Sequence, residues 1–207
     1  VVSDGDRVAG DALRDELLDL AWERRADFIH DFEPMTVAIA RATSAPVGPV
    51  VLHDHGDNCG AGGVTDVIAV LGECLDQGLD DIVAGPYCDP EAAAILIDAG
   101  VGATITLEVG GKVDMPARGL TGHPMSMTGT VTAVSDGRYK VTGPMMTGMA
   151  MNLGPCAVLD IGPALVIVCT NPLEPIDVDF YDVFGIDPTE HRILLIKSRQ
   201  HFRAVFE

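Results

Sequence analysis

Between Val50 and Leu71 the chain reads VVLHDHGDNCGAGGVTDVIAVL, and five residues able to do chemistry stand within six positions: His53, Asp54, His55, Asp57 and Asn58. On a strand, His53 and His55 share one face while Asp54 points to the other. With Asp57 two residues further on, H-x-H-x-D is a spacing that can ligate zinc, because imidazole and carboxylate both suit that metal. A metal held there would activate a water for hydrolysis. A catalytic zinc, however, needs three protein ligands and supporting hydrogen bonds. The remaining histidines (30, 123, 191 and 201) form no paired motif.

Gly60, Ala61, Gly62 and Gly63 follow the polar residues and suggest a second chemistry, a phosphate cradled at a helix N-terminus. Neither G-x-x-x-x-G-K-[ST] nor G-x-G-x-x-G is present, and Asp54, Asp57 and Asp66 ring the turn with no Lys or Arg nearby. A third reading is purely structural: Asp57 and Asn58 satisfy loop amides and the glycines permit close packing. Elsewhere, Lys197, Ser198 and His201 follow an apolar strand, where a Ser–His–Lys arrangement is conceivable without a nucleophile elbow to support it. The methionines of 145–151 suit gap-filling or a pliable surface. Gly110-Gly111-Lys112 reads as a turn.

The elements that must position these groups follow from periodicity. Val50–Leu52 is a short β-type run, and Val64, Val67, Ile68 and Leu71 recur at helical spacing, predicting a helix over 64–77. A strand over 81–85 leads to a helix opened by Asp89-Pro90 and stopped by Gly100, and a third strand covers 103–109. This is a parallel βαβαβ pattern of the α/β class. Beyond 110, β-type runs at 126–134, 138–142, 156–161 and 164–170 predict an antiparallel β module. A short helix at 177–184, the strand 192–197 and a helix start at 200–206 complete the chain. Such a fold places the polar residues at the carboxyl end of a sheet, where α/β proteins bind ligands.

Ahead of this core, residues 6–28 are helical in pattern, with Leu13, Leu17, Leu20 and Phe28 on a stripe near Trp22. A second helical piece runs from Pro34 to Arg41, and SAPVGP at 44–49 breaks the chain. The reading therefore separates residues 1–45 from a domain at 46–207. The chain opens without Met and stops within a helical pattern, as a piece of a longer polypeptide would.

Composition narrows the partners. The chain has 207 residues, 47% of them hydrophobic, so it can bury a core. With 31 acidic residues against 13 basic ones the net charge is −18, which repels nucleic acid and anionic membranes. Only Lys112, Lys140 and Lys197 are lysines, and the excess Asp is spread as a solvated acidic surface would be. No apolar run reaches the roughly eighteen residues of a membrane span. Five cysteines at irregular spacing argue against a disulfide framework and for a reducing, cytoplasmic compartment. Cys74, Cys156 and Cys169 sit in apolar contexts as small core residues.

Several blocks together resemble the C-terminal domain of the microcystinase C (MlrC) family of metallopeptidases. Asp57-Asn58-Cys59-Gly60-Ala61-Gly62 is similar to that family's D-N-P-G-G-G. Asp89-Pro90-Glu91, Val101-Gly102-Ala103-Thr104, Gly110-Gly111-Lys112, Thr142-Gly143-Pro144-Met145, Leu153-Gly154-Pro155 and Gly185-Ile186-Asp187-Pro188 follow in order. Lys197-Ser198-Arg199-Gln200-His201-Phe202-Arg203 matches K-S-x-x-H-F-R.

The resemblance implies a zinc hydrolase that cleaves amide bonds in small or linearised peptides, with the zinc ligands in a larger N-terminal domain upstream of Val1. Residues 1–45 would be the helical tail of that domain, and this fragment alone would be inactive. The implied partners are a small peptide substrate, the chain's own N-terminal domain, and a second copy in a homo-oligomer. Asp57 would assist catalysis as a substrate-orienting or second carboxylate; Asp54, Asn58, Gly60 and Gly62 would face the substrate; Lys197 and His201 would contact a peptide carboxylate. Cys59 and Ala61 depart from the motif, and His53 and His55 stand where the family has small residues. This shifts weight from the histidines to Asp57 and Asn58, leaving a metal at His53, His55 and Asp57 as an alternative, beside a non-catalytic closing or dimerisation module.

Overall fold

The computed structural model describes residues 1–29 and 31–206, so His30 and Glu207 lie outside the described residues. The chain divides into two compact units, Val1–Pro34 and Met35–Glu207. The first consists of helix α1 (Arg7–Glu23) and a single 3-10 turn, Arg25–Phe28. Asp6 caps α1 by accepting a hydrogen bond from the Ala9 amide at 3.0 Å. The expected leucine stripe forms on α1, but Leu13, Leu17 and Leu20 are exposed.

The second unit begins with α2 (Met35–Thr43) and β1 (Val50–His53), followed by α3 (Ala69–Asp76), β2 (Ile82–Cys88) and α4 (Pro90–Ala99). Then come β3 (Thr104–Val109), β4 (Met125–Ser135), β5 (Arg138–Lys140), β6 (Ala150–Asn152), β7 (Cys156–Asp160) and β8 (Ala164–Cys169). The last elements are the single-turn α5 (Asp179–Asp182) and β9 (Ile193–Ile196). The fold is α/β, built on one seven-stranded mixed sheet in the order β1-β9-β2-β8-β7-β4-β3, with a separate β5-β6 hairpin. β1, β9, β2 and β8 are mutually parallel, whereas β7, β4 and β3 alternate antiparallel.

The predicted strands are present, but the parallel ones are not joined in sequence order. β3, expected to extend a parallel βαβαβ run, pairs antiparallel with β4 at the sheet edge. The parallel half is completed by β9 and β8 instead. Their uninterrupted apolar runs, ILLI and ALVIVC, suit strands covered on both faces. One face packs against Ile39 and Ala42 of α2, Leu71 and Cys74 of α3, and Ala92, Ala93 and Leu96 of α4. The other packs against Phe180, Tyr181, Ile186 and Leu153. β6 was not anticipated, and the expected C-terminal helix is only a 3-10 turn, His201–Ala204.

Helix α4 forms as its sequence dictates: Asp89 caps it through the Ala92 amide at 3.0 Å, Pro90 opens it and Gly100 ends it at φ +80°. Helix α3, by contrast, starts five residues later than its apolar spacing suggests, at Ala69 rather than 64. Residues 64–67 are held by a side chain elsewhere in the loop, with Thr65 at φ +65°. That side chain belongs to the candidate site.

Candidate functional site

Four parallel strands end side by side. His53 of β1 is in register with Ile196 of β9, and Cys88 of β2 with Cys169 of β8. One residue past the β1–β9 pair, the Asp54 amide donates to the Ile196 carbonyl at 2.8 Å. This brings Asp54 alongside Lys197. The sheet thus gathers the 54–63 loop, the Lys197–His201 segment and the loop after Thr170 at one carboxyl edge, as expected for a ligand-facing side.

Lys197 is buried, with its ammonium 2.8 Å from Asp57 Oδ2, 3.0 Å from Asp54 Oδ2 and 2.7 Å from the Val67 carbonyl. Those contacts use all three of its donors. The ammonium also lies 4.8 Å from the centre of the Tyr87 ring. Lys197 was expected to meet a peptide carboxylate; its burial and filled donors assign it to the loop instead.

Asp57 is equally committed. Its Oδ1 accepts from the amides of Val64 (2.8 Å) and Thr65 (2.9 Å), and its Oδ2 from the amide of Val67 (2.8 Å) as well as Lys197. Four hydrogen bonds occupy the lone-pair directions of a carboxylate. The loop they hold sets Thr65 at φ +65°, in the left-handed region, and a right-handed helix cannot run through that residue, so α3 starts after it.

Asn58, buried next to it, accepts from the Gly60 amide at 2.6 Å and hydrogen-bonds Glu174. Glycine is required where this loop closes. A Cβ at Gly60 would lie 2.7 Å from Glu174 Oε2, and one at Gly63 would lie 2.5 Å from the Asp57 carbonyl carbon. Gly62 is exposed at the end of the turn.

Glu174 was not anticipated from the sequence. Buried in the loop that follows β8, it accepts from Ser198 Oγ at 2.6 Å through Oε1, and its Oε2 lies 2.9 Å from His201 Nδ1. Burial by itself would raise its pKa, but the hydrogen bonds from Ser198, His201 and Asn58, with the His201 charge, together hold it below the usual value. Its signal in the sequence is a carboxylate inside the apolar loop Pro172-Leu173-Glu174-Pro175-Ile176, directly after a buried strand. His201 is the most open of these polar side chains, with 48% of its surface exposed.

His53 and His55 lie on the rim, their ring centres 6.1 Å apart, and His53 stacks on Phe202 at 5.1 Å. Partial burial, then the positive charges of His55 and Arg203, lower the His53 pKa. A second acidic group braces the neighbouring loop. Asp89 accepts from the Gly110 amide at 2.9 Å and pairs with Lys112 at 3.1 Å. Asp66 accepts from the amides of Lys112 (2.7 Å) and Val113 (2.8 Å). Burial pushes the Asp66 carboxyl up, and its Oδ1 is buried with no hydrogen-bond partner among the described residues. Asp177 and Asp179 bind the amides of Gly143 and Thr142 in the same manner. The acidic residues therefore do more than solvate a surface: several are buried loop clamps.

A family model described as the MlrC C-terminus matches residues 52–207, more than half of the chain. The chain belongs to the MlrC C-terminal family. Microcystinase C of Sphingomonas sp is 31% identical to it over 168 residues, which is 81% of this chain and 32% of that protein. The crystal structure of a "putative metallopeptidase" from Mesorhizobium sp. BNC1 covers 97% of this chain with a TM-score of 0.82 at 26% identity. This chain spans 39% of that one. It therefore corresponds to about a third of its curated relative and about two fifths of its solved one. The two segments that resemble MlrC motifs, Asp57–Gly62 and Lys197–Arg203, far apart in sequence, are the two loops bound together here through Lys197, Asp57, Asn58 and Glu174.

Metallopeptidase relatives imply a metal. Among the described residues, no three His, Cys, Asp or Glu side chains come together as metal ligands. The alternative ligand set His53, His55 and Asp57 does not form, because Asp57 is turned onto Lys197 and the 64–67 amides. The described side chains do not fit the metal by themselves. No described helix is long and apolar enough to cross a membrane.

Proposed function

We propose that this MlrC domain is part of a zinc-dependent metallopeptidase acting on small or linearised peptides, with the zinc ligands on an upstream N-terminal part. The observation that carries this reading is the convergence of the two MlrC motifs on one carboxyl edge of the sheet. In this reading Asp57 and Lys197 are positioning residues: they hold the 54–63 loop in shape without touching substrate. Asp54, Asn58, Gly60 and Gly62 shape the wall that the substrate meets. His201, half exposed and steered by Glu174, is the side chain that contacts a peptide carboxylate. Five free thiols suit a reducing cytoplasm.

The test is turnover of linearised peptides by the full-length parent, with Asn58→Ala and His201→Ala compared against the unaltered protein. A loss of kcat/KM of tenfold or more at unchanged zinc content is expected. Unchanged turnover with intact assembly would support a second reading, a non-catalytic closing or dimerisation module. That reading is favoured by one observation: Asp54, Asp57 and Lys197 satisfy one another.

A further inference from the structure

Two of the five cysteines, Cys59 and Cys88, are half-buried; Cys74, Cys156 and Cys169 are buried. Cys88 has other thiols in register with it. It is the last residue of β2 and pairs with Cys169, the last residue of β8, which in turn pairs with Cys156 of β7. Paired residues of neighbouring strands project to the same face, and all three cysteines belong to one apolar cluster. Adjacent strands lie about 4.8 Å apart, inside the roughly 4.4–6.8 Å of Cα separation that a disulfide spans. The Cys88 and Cys169 thiols are close enough to influence one another, and each donates to a backbone carbonyl of the loop after β8, Cys88 to Thr170 at 3.7 Å and Cys169 to Asn171 at 3.2 Å. Both end their strands, so closing the gap between sulfurs need not disturb the middle of the ladder.

We propose that Cys88 is a peroxide-reactive modification site and that Cys169 resolves it to a reversible disulfide. The Cys88 thiolate attacks hydrogen peroxide: an S–O bond forms, the O–O bond breaks, and the departing hydroxide takes a proton to leave as water. The Cys169 sulfur then attacks Cys88 Sγ, forming the S–S bond as the S–O bond breaks and a second water leaves. The thiols are oxidised and the peroxide is reduced, so peroxide is the sole oxidant needed.

The surroundings distinguish the two half-buried thiols. The neighbouring Cys169 thiol lowers the Cys88 pKa, outweighing burial and the charges of Asp66, Asp89 and Asp57. For Cys59, burial comes first and raises it. The thiolate is the nucleophile, so Cys88 is the more reactive thiol at neutral pH. The site also adjoins the clamped loop, because the Cys88 amide donates to the Thr65 carbonyl at 2.9 Å.

The experiment uses this chain as it stands. The reduced protein is treated with hydrogen peroxide, blocked with N-ethylmaleimide under denaturing conditions, and mapped by non-reducing peptide mass spectrometry. A Cys88–Cys169 cross-linked peptide is expected, lost on addition of a thiol reductant and absent from Cys88→Ser. In parallel, iodoacetamide labelling of the native chain across a pH series should modify Cys88 at lower pH than Cys59. The labelling needs no variant, so it stands even if Cys88→Ser fails to fold. Labelling of Cys59 ahead of Cys88, or oxidation of Cys88 to a sulfinic acid without linkage to Cys169, would overturn the proposal.

Discussion

Lys197 Nζ and Asp57 Oδ2 stand 2.8 Å apart, both residues are buried, and 140 positions of sequence separate them. This pair joins the strand end of β9 to the loop after β1, and Asp54 completes it at 3.0 Å. Removing the cation would leave two carboxylates facing each other in a poorly solvated place. Breaking a buried pair from one side costs about 3–5 kcal/mol. Lys197→Met should therefore lower the unfolding free energy of this chain by about that amount, measured by urea denaturation. A loss under 1 kcal/mol, as for an exposed pair, would contradict the buried arrangement.

Asp57 holds the amides of Val64, Thr65 and Val67, so its removal should be felt locally before it is felt globally. In Asp57→Ala, native-state hydrogen exchange should show protection lost at those three amides while the β9 amides keep theirs. Uniform loss across the sheet would instead mean that the clamp and the core are one cooperative unit.

The loop's glycines should rank by what a methyl group would strike. At Gly63 it meets the backbone of Asp57 and Asn58 at 2.5–2.7 Å, which cannot yield without moving the clamp. At Gly60 it meets the end of the Glu174 side chain at 2.7 Å, which can shift. Overpacking costs about 1–3 kcal/mol. Gly63→Ala should fall at or above the top of that range and Gly60→Ala within it, read as a difference in thermal midpoint. Equal midpoints would refute the ranking.

Glu174 links stability to pH. Its folded pKa lies below its ordinary value of 4.5, mainly because three hydrogen bonds outweigh the opposing effect of burial. A depressed carboxylate contributes stability above its unfolded pKa and loses it as pH falls through the folded one. The stability difference between the unaltered chain and Glu174→Gln should be constant from neutral pH down to the ordinary carboxylate range, then shrink on further acidification. Asp66 works in the opposite sense: burial raises its pKa, so its contribution weakens as pH rises from the unfolded value to the folded one. Chemical denaturation in a pH series, with Asp66→Asn alongside, separates the two.

Much of the local structure was legible in the sequence. Asp89-Pro90 and Gly100 bracket α4 because a side-chain cap, a fixed φ and a left-handed terminus are local devices, complete within a few residues. The run of Val50–His53 into a polar, glycine-rich turn was legible for the same reason. The two histidines suggested a metal because spacing along one strand is visible, whereas the direction in which Asp57 turns is not. The start of α3 was not legible because its apolar period continues back to Val64, while the left-handed backbone of Thr65 is set by the Asp57 clamp from another part of the loop.

Taken alone, the sequence determined most of the segments that become strands and helices, that the chain is α/β, and, through its collinear motifs, which family it resembles. The tertiary structure decided which strand ends meet. Inserting β9 between β1 and β2 sets Lys197 against Asp54 and Asp57, and placing β8 beside β2 sets Cys169 against Cys88. The same sheet edge brings the loop after β8 under the 54–63 turn, so that Glu174 reaches Ser198 and His201. Local propensity acts over a few residues, but strand order is settled by burying apolar faces and pairing backbone groups across the whole sheet. The partners of every buried charge are chosen at that level.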